Sequence, residues 1–510
     1  PHQRQRVRDG LRRRTRLGHA LGNVMSGQRA VTADDIRFVL HHRLEHRASD
    51  LHGDRVVLRL DAVGSGVSGA ALDGVQRHRD ALSDQLQHLL GLAADLLHAA
   101  VAGEDPVPAA SARAIADGVH LNDIQVVGSH NSYHEVPTQA ETELRRSCIG
   151  DADDFFQYRH APLPVQFESQ KVRQIELDVF LDPAGGKYAN PLLRQVAGLG
   201  PYDPAMDEPG IKVLHVQDVD YNSNCLTLKN CLSEVKSWSD ANPSHVPIAI
   251  LLEFQDDEVP PVGDLPFVVP DRFDTPAAMD SVDAEIRSIM DPDDLLTPDD
   301  VRGSRATLDE AVTTDGWPTL GESRGKVMFM MDNAGAQRTA YLDGHPNLEG
   351  RVLFTKAEPG EPDAGFVSRN DPTSADIADL VRAGYMVRTR ADVETVEARA
   401  NDTTKRDAAL ASGAQWVSTD YPVRDYGVGF ATDYFVEIPG GTVARCNPVD
   451  APVGCVSADL EPVELPPDTT STTTGISTSM SVPVSYTHLT LPTIYSVYIP
   501  VVAVSLNTTT

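Results

Sequence analysis

Nowhere in the 510 residues is there an unbroken run of 18 apolar side chains, about the length a helix needs to cross a bilayer. A transmembrane helix is therefore not expected. Cysteine is scarce: there are five, and none stands in a C-x-x-C pair, which removes the usual spacing of a structural zinc site. Positive charge is short as well, with 44 Lys and Arg against 74 Asp and Glu, a formal net charge of −30. That balance excludes a nucleic-acid backbone or an anionic membrane patch as the main electrostatic partner, while a metal cation remains compatible. The chain opens on Pro rather than Met and shows no signal-peptide pattern, which reads as a fragment or a mis-called start.

The deficits are unevenly spread. Residues 1–113 hold 16 Arg and 13 acidic residues, nine of the 17 His, a single aromatic (Phe38), and no Lys, Tyr, Trp or Cys. Their RQRVRDGLRRRTR reads as a solvated basic tail or a wrong-frame translation. LSDQLQHLLGLAADLLHAAVAG has leucines at the spacing of one amphipathic helix. Residues 1–113 are thus set apart as an N-terminal region that is either a domain of its own or a mistranslated or disordered segment. From 114 onward 28 basic residues face 61 acidic ones. Residues 456–483 form a Thr/Ser-rich linker or stalk that cannot build a core. Residues 484–510, with VSYTHLTLPTIYSV, resemble a translated sequencing-library adapter and are excluded as an artefact. Cys225 and Cys231 flank LTLKN, and Cys446 and Cys455 flank NPVDAPVG, leaving Cys148 over. Two short-range pairs suggest local disulfides in an oxidising compartment, so a secreted or cell-envelope location is expected.

What the chain does have is a regular alternation between about 121 and 420. Eight short β-branched or apolar runs recur: DIQVVGSH, RQIELDVF, KVLHV, VPIAILLEF, KVMFMMD, RVLFT, YMVRTR and QWVSTD. The segments between them are long enough for helices. Eight such units predict an α/β fold of the (β/α)8 TIM-barrel type, with a doubly wound open sheet as the rival. Near-continuous apolar strands such as IAILLEF suit a parallel sheet buried on both faces. The Pro- and Asp-rich insertion at 255–325 is expected to be a loop with a helix around DAEIRSIM.

Catalytic groups of such a barrel sit where strands end. The first strand ends at His130-Asn131 within GSHNSYH. The second carries Glu176 and Asp178, two apart and so on one face. The third offers His215, and the fourth offers Glu253 behind five apolar residues. A lone strand-end His is usually just a satisfied polar group, but buried like charges need a cation or protonation. Three carboxylates and an amide form a hard oxygen set suited to Ca2+ or Mg2+ rather than Zn2+. Two histidines then remain for general acid and base work, which with a divalent metal suits phosphodiester cleavage. Arg388 and Arg390 alternate along MVRTR and could grip a phosphate, or pair with Asp420. His134 reads as a loop residue, and Lys326 opens its strand at the end away from the site.

In order, SHNSYH, RQIELDVF, a strand-end His and ILLEF resemble the X-region barrel of phosphatidylinositol-specific phospholipase C, nearest its bacterial, secreted, calcium-dependent branch. YRHAPLPVQFESQKVRQIELDVF, CLTLKNCLSEVKSWSDANP, WPTLGESRGKVMFMMD and VRTRADVETVEARANDTTKRDAALASGAQWVSTDYP carry the resemblance over roughly 121–455, within a barrel domain placed at 114–455. It implies a Ca2+ cofactor on Asn131, Glu176, Asp178 and Glu253. It also implies that His130 manages the inositol 2-hydroxyl proton and that His215 protonates the diacylglycerol oxygen. Substrate contacts would come from Arg388 and Arg390, the lipid would be met at a membrane interface, and the protein would be a monomer. No pleckstrin, EF-hand or C2 module is recognisable. A glycerophosphodiester phosphodiesterase is the enzymatic alternative, disfavoured because that family has His-Arg-Gly after the first strand. A sphingomyelinase-D-like activity ranks lower, and an inactive surface-binding module is the non-enzymatic alternative.

Overall fold

The computed structural model describes residues 109–259 and 267–461; residues 1–108 and 462–510, with the leucine-rich stretch near the N-terminus and the tail, lie outside them. The region set apart at 1–113 and the linker placed at 456–483 both overlap the fold, since Ala109–Asp117 and Ser457–Leu460 are helices and Leu460 is buried in the core. Ten strands occur in chain order: β1 (Ile124–Ser129), β2 (Gln174–Phe180), β3 (Lys212–Val213), β4 (Ile248–Phe254), β5 (Val327–Met331), β6 (Leu353–Thr355), β7 (Phe366–Ser368), β8 (Met386–Arg390), β9 (Trp416–Thr419) and β10 (Ala444–Cys446). Eight of them pair in parallel in the order β6-β5-β4-β2-β1-β9-β8-β7. A parallel bridge between Lys356 and Phe366 links the two ends, so the sheet is a nearly closed (β/α)8 barrel, as expected.

The membership of the eight differs from expectation. KVLHV is not a barrel strand: only Lys212 and Val213 are extended, and they pair antiparallel with β2. His215 therefore lies in the loop beyond β3, not at the tip of a parallel strand. The missing member is β7, a three-residue strand in DAGFVSRN that alternation in sequence could not reveal. At three residues it is shorter than the usual strand and carries too little pattern.

Apolar content explains the central elements. Within β4, Ile248 through Leu252 are all fully buried, as a strand covered by helices on one side and barrel core on the other must be. Thr227 caps the helix Leu228–Ala241 by accepting from the Asn230 amide, and Thr138 with Glu141 forms a capping box on Gln139–Ile149, each satisfying amides that a helix start leaves open. The 255–325 insertion contains the expected helix, Pro276–Arg287, begun by Thr275 and a proline in the first turn. Disulfides join Cys225 to Cys231 and Cys446 to Cys455, and Cys148 is free and exposed.

One glycine sets the approach to the site. A Cβ on Gly128 would sit 1.9 Å from Gln174 Oε1, so β1 can lie against β2 only without a side chain there. His130 and Asn131 follow directly. The parallel registers also align acids: Glu176 faces Leu251 and Asp178 faces Glu253. With strands about 4.8 Å apart, the last two carboxylates are lateral neighbours.

Ile250→Ala should lower the unfolding free energy by about 2–5 kcal/mol in denaturant titration, because it opens a cavity in a closed core. A loss below ~1 kcal/mol would mean that β4 is not packed on both faces.

Candidate active site

The rim at the carboxyl ends of the strands gathers seven of the eight expected site residues directly. His130 and Asn131 follow β1; Glu176 and Asp178 lie on β2; Arg388 and Arg390 lie on β8 and extend across the mouth. Glu253 adds from β4, and His215 reaches the same rim from its loop.

Asn131 has φ +45°, a left-handed conformation that Asn tolerates better than most side chains and that marks a constrained position. Its Nδ2 donates to the Tyr158 hydroxyl at 2.8 Å. Its Oδ1 is buried without a hydrogen-bond partner, as is Asp178 Oδ1. Glu176 accepts from the fully buried Arg388, which also donates to Asn370 at 2.6 Å. Glu176, Glu253 and Asp332 have carboxylate oxygens within 4.8 Å of one another. Asp178 stands beside this trio, across the ladder from Glu253, with Gln255 Nε2 at 3.3 Å.

Burial, then Glu253 and Glu176, push the Asp178 carboxyl well above the usual carboxylate value. Burial, then Glu176 and Asp332, push Glu253 up to about 7. Arg388 pairs with Glu176, and Lys356 Nζ lies 3.2 Å from Asp332 Oδ1, but among the described residues no lysine or arginine forms an ion pair with Asp178 or Glu253. Two orphaned oxygens and three crowded acids supply the all-oxygen donors that a hard divalent cation accepts, so the residues fit Ca2+. Of the four expected ligands, Glu176 and Glu253 share one cluster with Asp332, Asp178 lies across the ladder from Glu253, and Asn131 follows β1 at the same strand ends. Asp332, at the end of β5, is an added candidate that the sequence reading missed.

Each histidine is backed by an aspartate. His130 Nδ1 lies 2.9 Å from Asp420 Oδ1, and Arg390 places Nη1 and Nη2 each 3.2 Å from its ring nitrogens. Burial and the Arg390 guanidinium press His130 below the ordinary imidazole value, against the pull of Asp420 and Glu176. Burial works against ionised Asp420, yet His130, His160 and Arg390 hold it well below the carboxylate range. Arg390 also reaches Asp420 Oδ2 at 3.4 Å, which is the pairing with Asp420 that the sequence offered as the alternative to a phosphate contact.

His215 Nδ1 lies 2.7 Å from Asp220 Oδ2. Asp220 is buried, which alone would raise it, but His134 and His215 hold it well below the usual range. His134 lies in the loop after β1, as expected, but its side chain is fully buried and its Nε2 is 2.8 Å from the same Asp220 oxygen. Tyr158 joins the two halves. Its ring stacks on His134 with centroids 4.1 Å apart and lies 6.2 Å from His130. Asp220 and Tyr158 were missed because both lie in loops; Asp220, five residues after His215 in QDVDY, left only a faint signal.

A cavity of about 340 Å3 lies at the opposite, strand-entry end, lined by Phe167, Arg173, Trp238 and His245 among others. None of the rim residues lines it.

Comparison with known proteins adds a family assignment. A family model described as phosphoinositide phospholipase C, Ca2+-dependent, matches residues 119–448. No curated protein sequence matches. Among solved structures, the chain is similar to a calcium-dependent phosphoinositol-specific phospholipase C from Pseudomonas sp. in its apo form, with 16% identity, 65% of this chain and 96% of that one covered, and a TM-score of 0.40. It is also similar to a Ca2+-dependent phosphatidylinositol-specific phospholipase C from Streptomyces antibioticus, with 19% identity, coverages of 59% and 95%, and a TM-score of 0.38.

The crowded acids predict a pH-dependent weakness in cation-free protein. Glu253 moves from 4.5 to about 7 on folding. Its contribution is therefore fully favourable below about 4.5 and is lost as pH rises to 7, and Asp178 acts in the same direction. At 1.36 kcal/mol per unit the Glu253 part is on the order of 3 kcal/mol. In chelator, the melting temperature should fall between pH 5 and pH 8, and Glu253→Gln should remove much of that fall. An unchanged slope in the variant would rule out this origin.

Proposed function

The chain belongs to the Ca2+-dependent phosphoinositide phospholipase C family, and from that premise we propose that it cleaves phosphatidylinositol-type lipids to diacylglycerol and inositol 1,2-cyclic phosphate. The observation that carries the reading is the facing of a cation-hungry carboxylate cluster by two histidines, each turned by an aspartate. The family is one of enzymes that use Ca2+. Asn131, Glu176, Asp178 and Glu253 would hold the ion, with Asp332 in reach of the same cluster. Bound there, calcium would supply charge neutralisation at the phosphoryl oxygens and a lowered proton affinity at the inositol 2-hydroxyl.

The chain's own groups account for the proton movements. With Nδ1–H directed at Asp420, His130 has Nε2 as its acceptor, a lone pair that Arg390 Nη1 faces at 3.2 Å and would release on turning to the phosphate. Its depressed proton affinity keeps it neutral at neutral pH. It would take the proton of the 2-hydroxyl as that oxygen attacks phosphorus. His215, its Nδ1–H directed at Asp220, has Nε2 free to deliver a proton to the departing diacylglycerol oxygen. The roles reverse if water then opens the cyclic phosphate. Arg390, resting against His130, and Arg388, beside Glu176, are the cations available to a phosphate or inositol hydroxyls.

The remaining features are consistent with contact with lipid from outside a cell. No described helix is long and apolar enough to span a membrane, and two disulfides fit an oxidising compartment. On the disulfides we propose a secreted or envelope location.

The purified protein should release a water-soluble inositol phosphate from phosphatidylinositol vesicles with Ca2+, and stop in chelator. His130→Ala and His215→Ala should each lower kcat by about 10²–10⁴-fold with circular dichroism unchanged. Turnover undiminished by chelator would remove the metal assignment. Turnover confined to glycerophosphodiesters would move the substrate class.

A further inference from the structure

Two groups of metal-competent side chains occur among the described residues: the Glu176, Glu253 and Asp332 carboxylates, and a separate set of His134, His215 and Asp220. The ligand atoms of the second set lie within 4.8 Å of one another. Asp220 Oδ2 is 2.8 Å from His134 Nε2 and 2.7 Å from His215 Nδ1. The other oxygen, Oδ1, accepts from Arg145 Nη1 at 2.5 Å.

His134 Nδ1 lies 3.0 Å from the Tyr158 carbonyl. A carbonyl only accepts, so this nitrogen carries a proton. In a neutral ring Nε2 would then point a lone pair at a carboxylate oxygen 2.8 Å away, and two lone pairs so close need a cation between them. A proton can fill that place, and so can a metal ion. An imidazole whose Nδ1–H is fixed on a main-chain carbonyl, leaving Nε2 to face a carboxylate oxygen, is oriented as metal-binding histidines are. Two imidazoles and one carboxylate suit a borderline ion, whereas Ca2+ prefers oxygen throughout.

We infer that His134, His215 and Asp220 form a second cation site, selective for Zn2+, which silences the enzyme by capturing Nδ1 of His215. The silencing, though not the binding, rests on the acid role proposed for His215. Zinc bonds of about 2.0–2.2 Å in tetrahedral geometry set neighbouring ligand atoms roughly 3.3 Å apart, so the rings must each retreat from Asp220 by about half an ångström. His215 is free to do so: its side chain is 24% exposed, while that of His134 is fully buried and stacked on Tyr158. The ion enters from the mouth on the His215 side, water completes its coordination, and the protons between the rings and the carboxylate leave. Calcium and zinc thereby act at two sites of one rim, the first as cofactor and the second as brake.

Cobalt is the probe, since Co2+ in a nitrogen–oxygen site of low coordination absorbs visible light and Ca2+ and Zn2+ do not. Co2+ added to the full chain should develop that absorption at one equivalent, lose it to Zn2+ and keep it in saturating Ca2+. Zn2+ should cut phosphatidylinositol turnover at least tenfold, and extra Ca2+ should not restore it. In calorimetry, His134→Gln should weaken Zn2+ binding by roughly 10- to 100-fold while Ca2+ binding is kept. Cobalt absorption removed by Ca2+, or Zn2+ affinity unchanged in a folded His134→Gln protein, would overturn the site. Should that variant not fold, the competition between Co2+ and Ca2+ on the unaltered protein decides alone. The spectra and calorimetry use no substrate, so they stand apart from any failure of the lipid assay.

Discussion

The parallel register that sets Asp178 beside Glu253 governs the mouth of this barrel. Backbone pairing fixes the spacing, so these acids cannot separate without breaking the ladder that holds β2 to β4. Glu176, one turn of the pleat below Asp178, and Asp332 from β5 add to the same negative field. Arg388 offsets part of it at Glu176 and Lys356 part of it at Asp332. The rest is held as raised carboxyl proton affinity and as buried oxygens without partners. A fold selected for stability alone would place apolar residues here, as it does along the remainder of β4. The arrangement is understandable as a cation seat.

Around that seat the two histidines are prepared differently. His130 is enclosed, with Arg390 against its ring and Asp420 behind it, conditions that favour a neutral imidazole able to accept a proton. His215 is more open and hangs on Asp220, itself fixed by Arg145 and His134. Tyr158, stacked on His134 and bonded to Asn131, ties the two halves into one rigid unit. Positioning of this kind decides whether acid–base groups act at the right atoms.

Much of this was legible in the sequence, and the exceptions have physical reasons. Strands such as IAILLEF and VMFMM announce themselves because burial on both faces demands long apolar runs, and the acids at the ends of such runs stand out as unpaired charge. KVLHV carried the same texture yet forms an antiparallel spur, because a two-residue pairing with β2 needs no more than Lys212 and Val213. FVS was silent, since three residues between Gly- and Asp-rich segments have no periodicity to read. Asp220, Tyr158 and the burial of His134 depend on contacts 24 to 86 residues apart in sequence, which local pattern does not encode. Arg388 and Arg390 were placed on the correct face by alternation alone, but their partners, Glu176 and Asp420, come from other strands.

The central claim is that the crowded carboxyls hold a proton in the absence of metal and give it up to Ca2+. Calorimetric Ca2+ titration at pH 7, in two buffers of different ionisation heat, counts that proton directly. The account predicts saturable binding with release of roughly one proton, a release that shrinks in Asp178→Asn. Absence of saturable binding, or binding with no proton exchange, would contradict it.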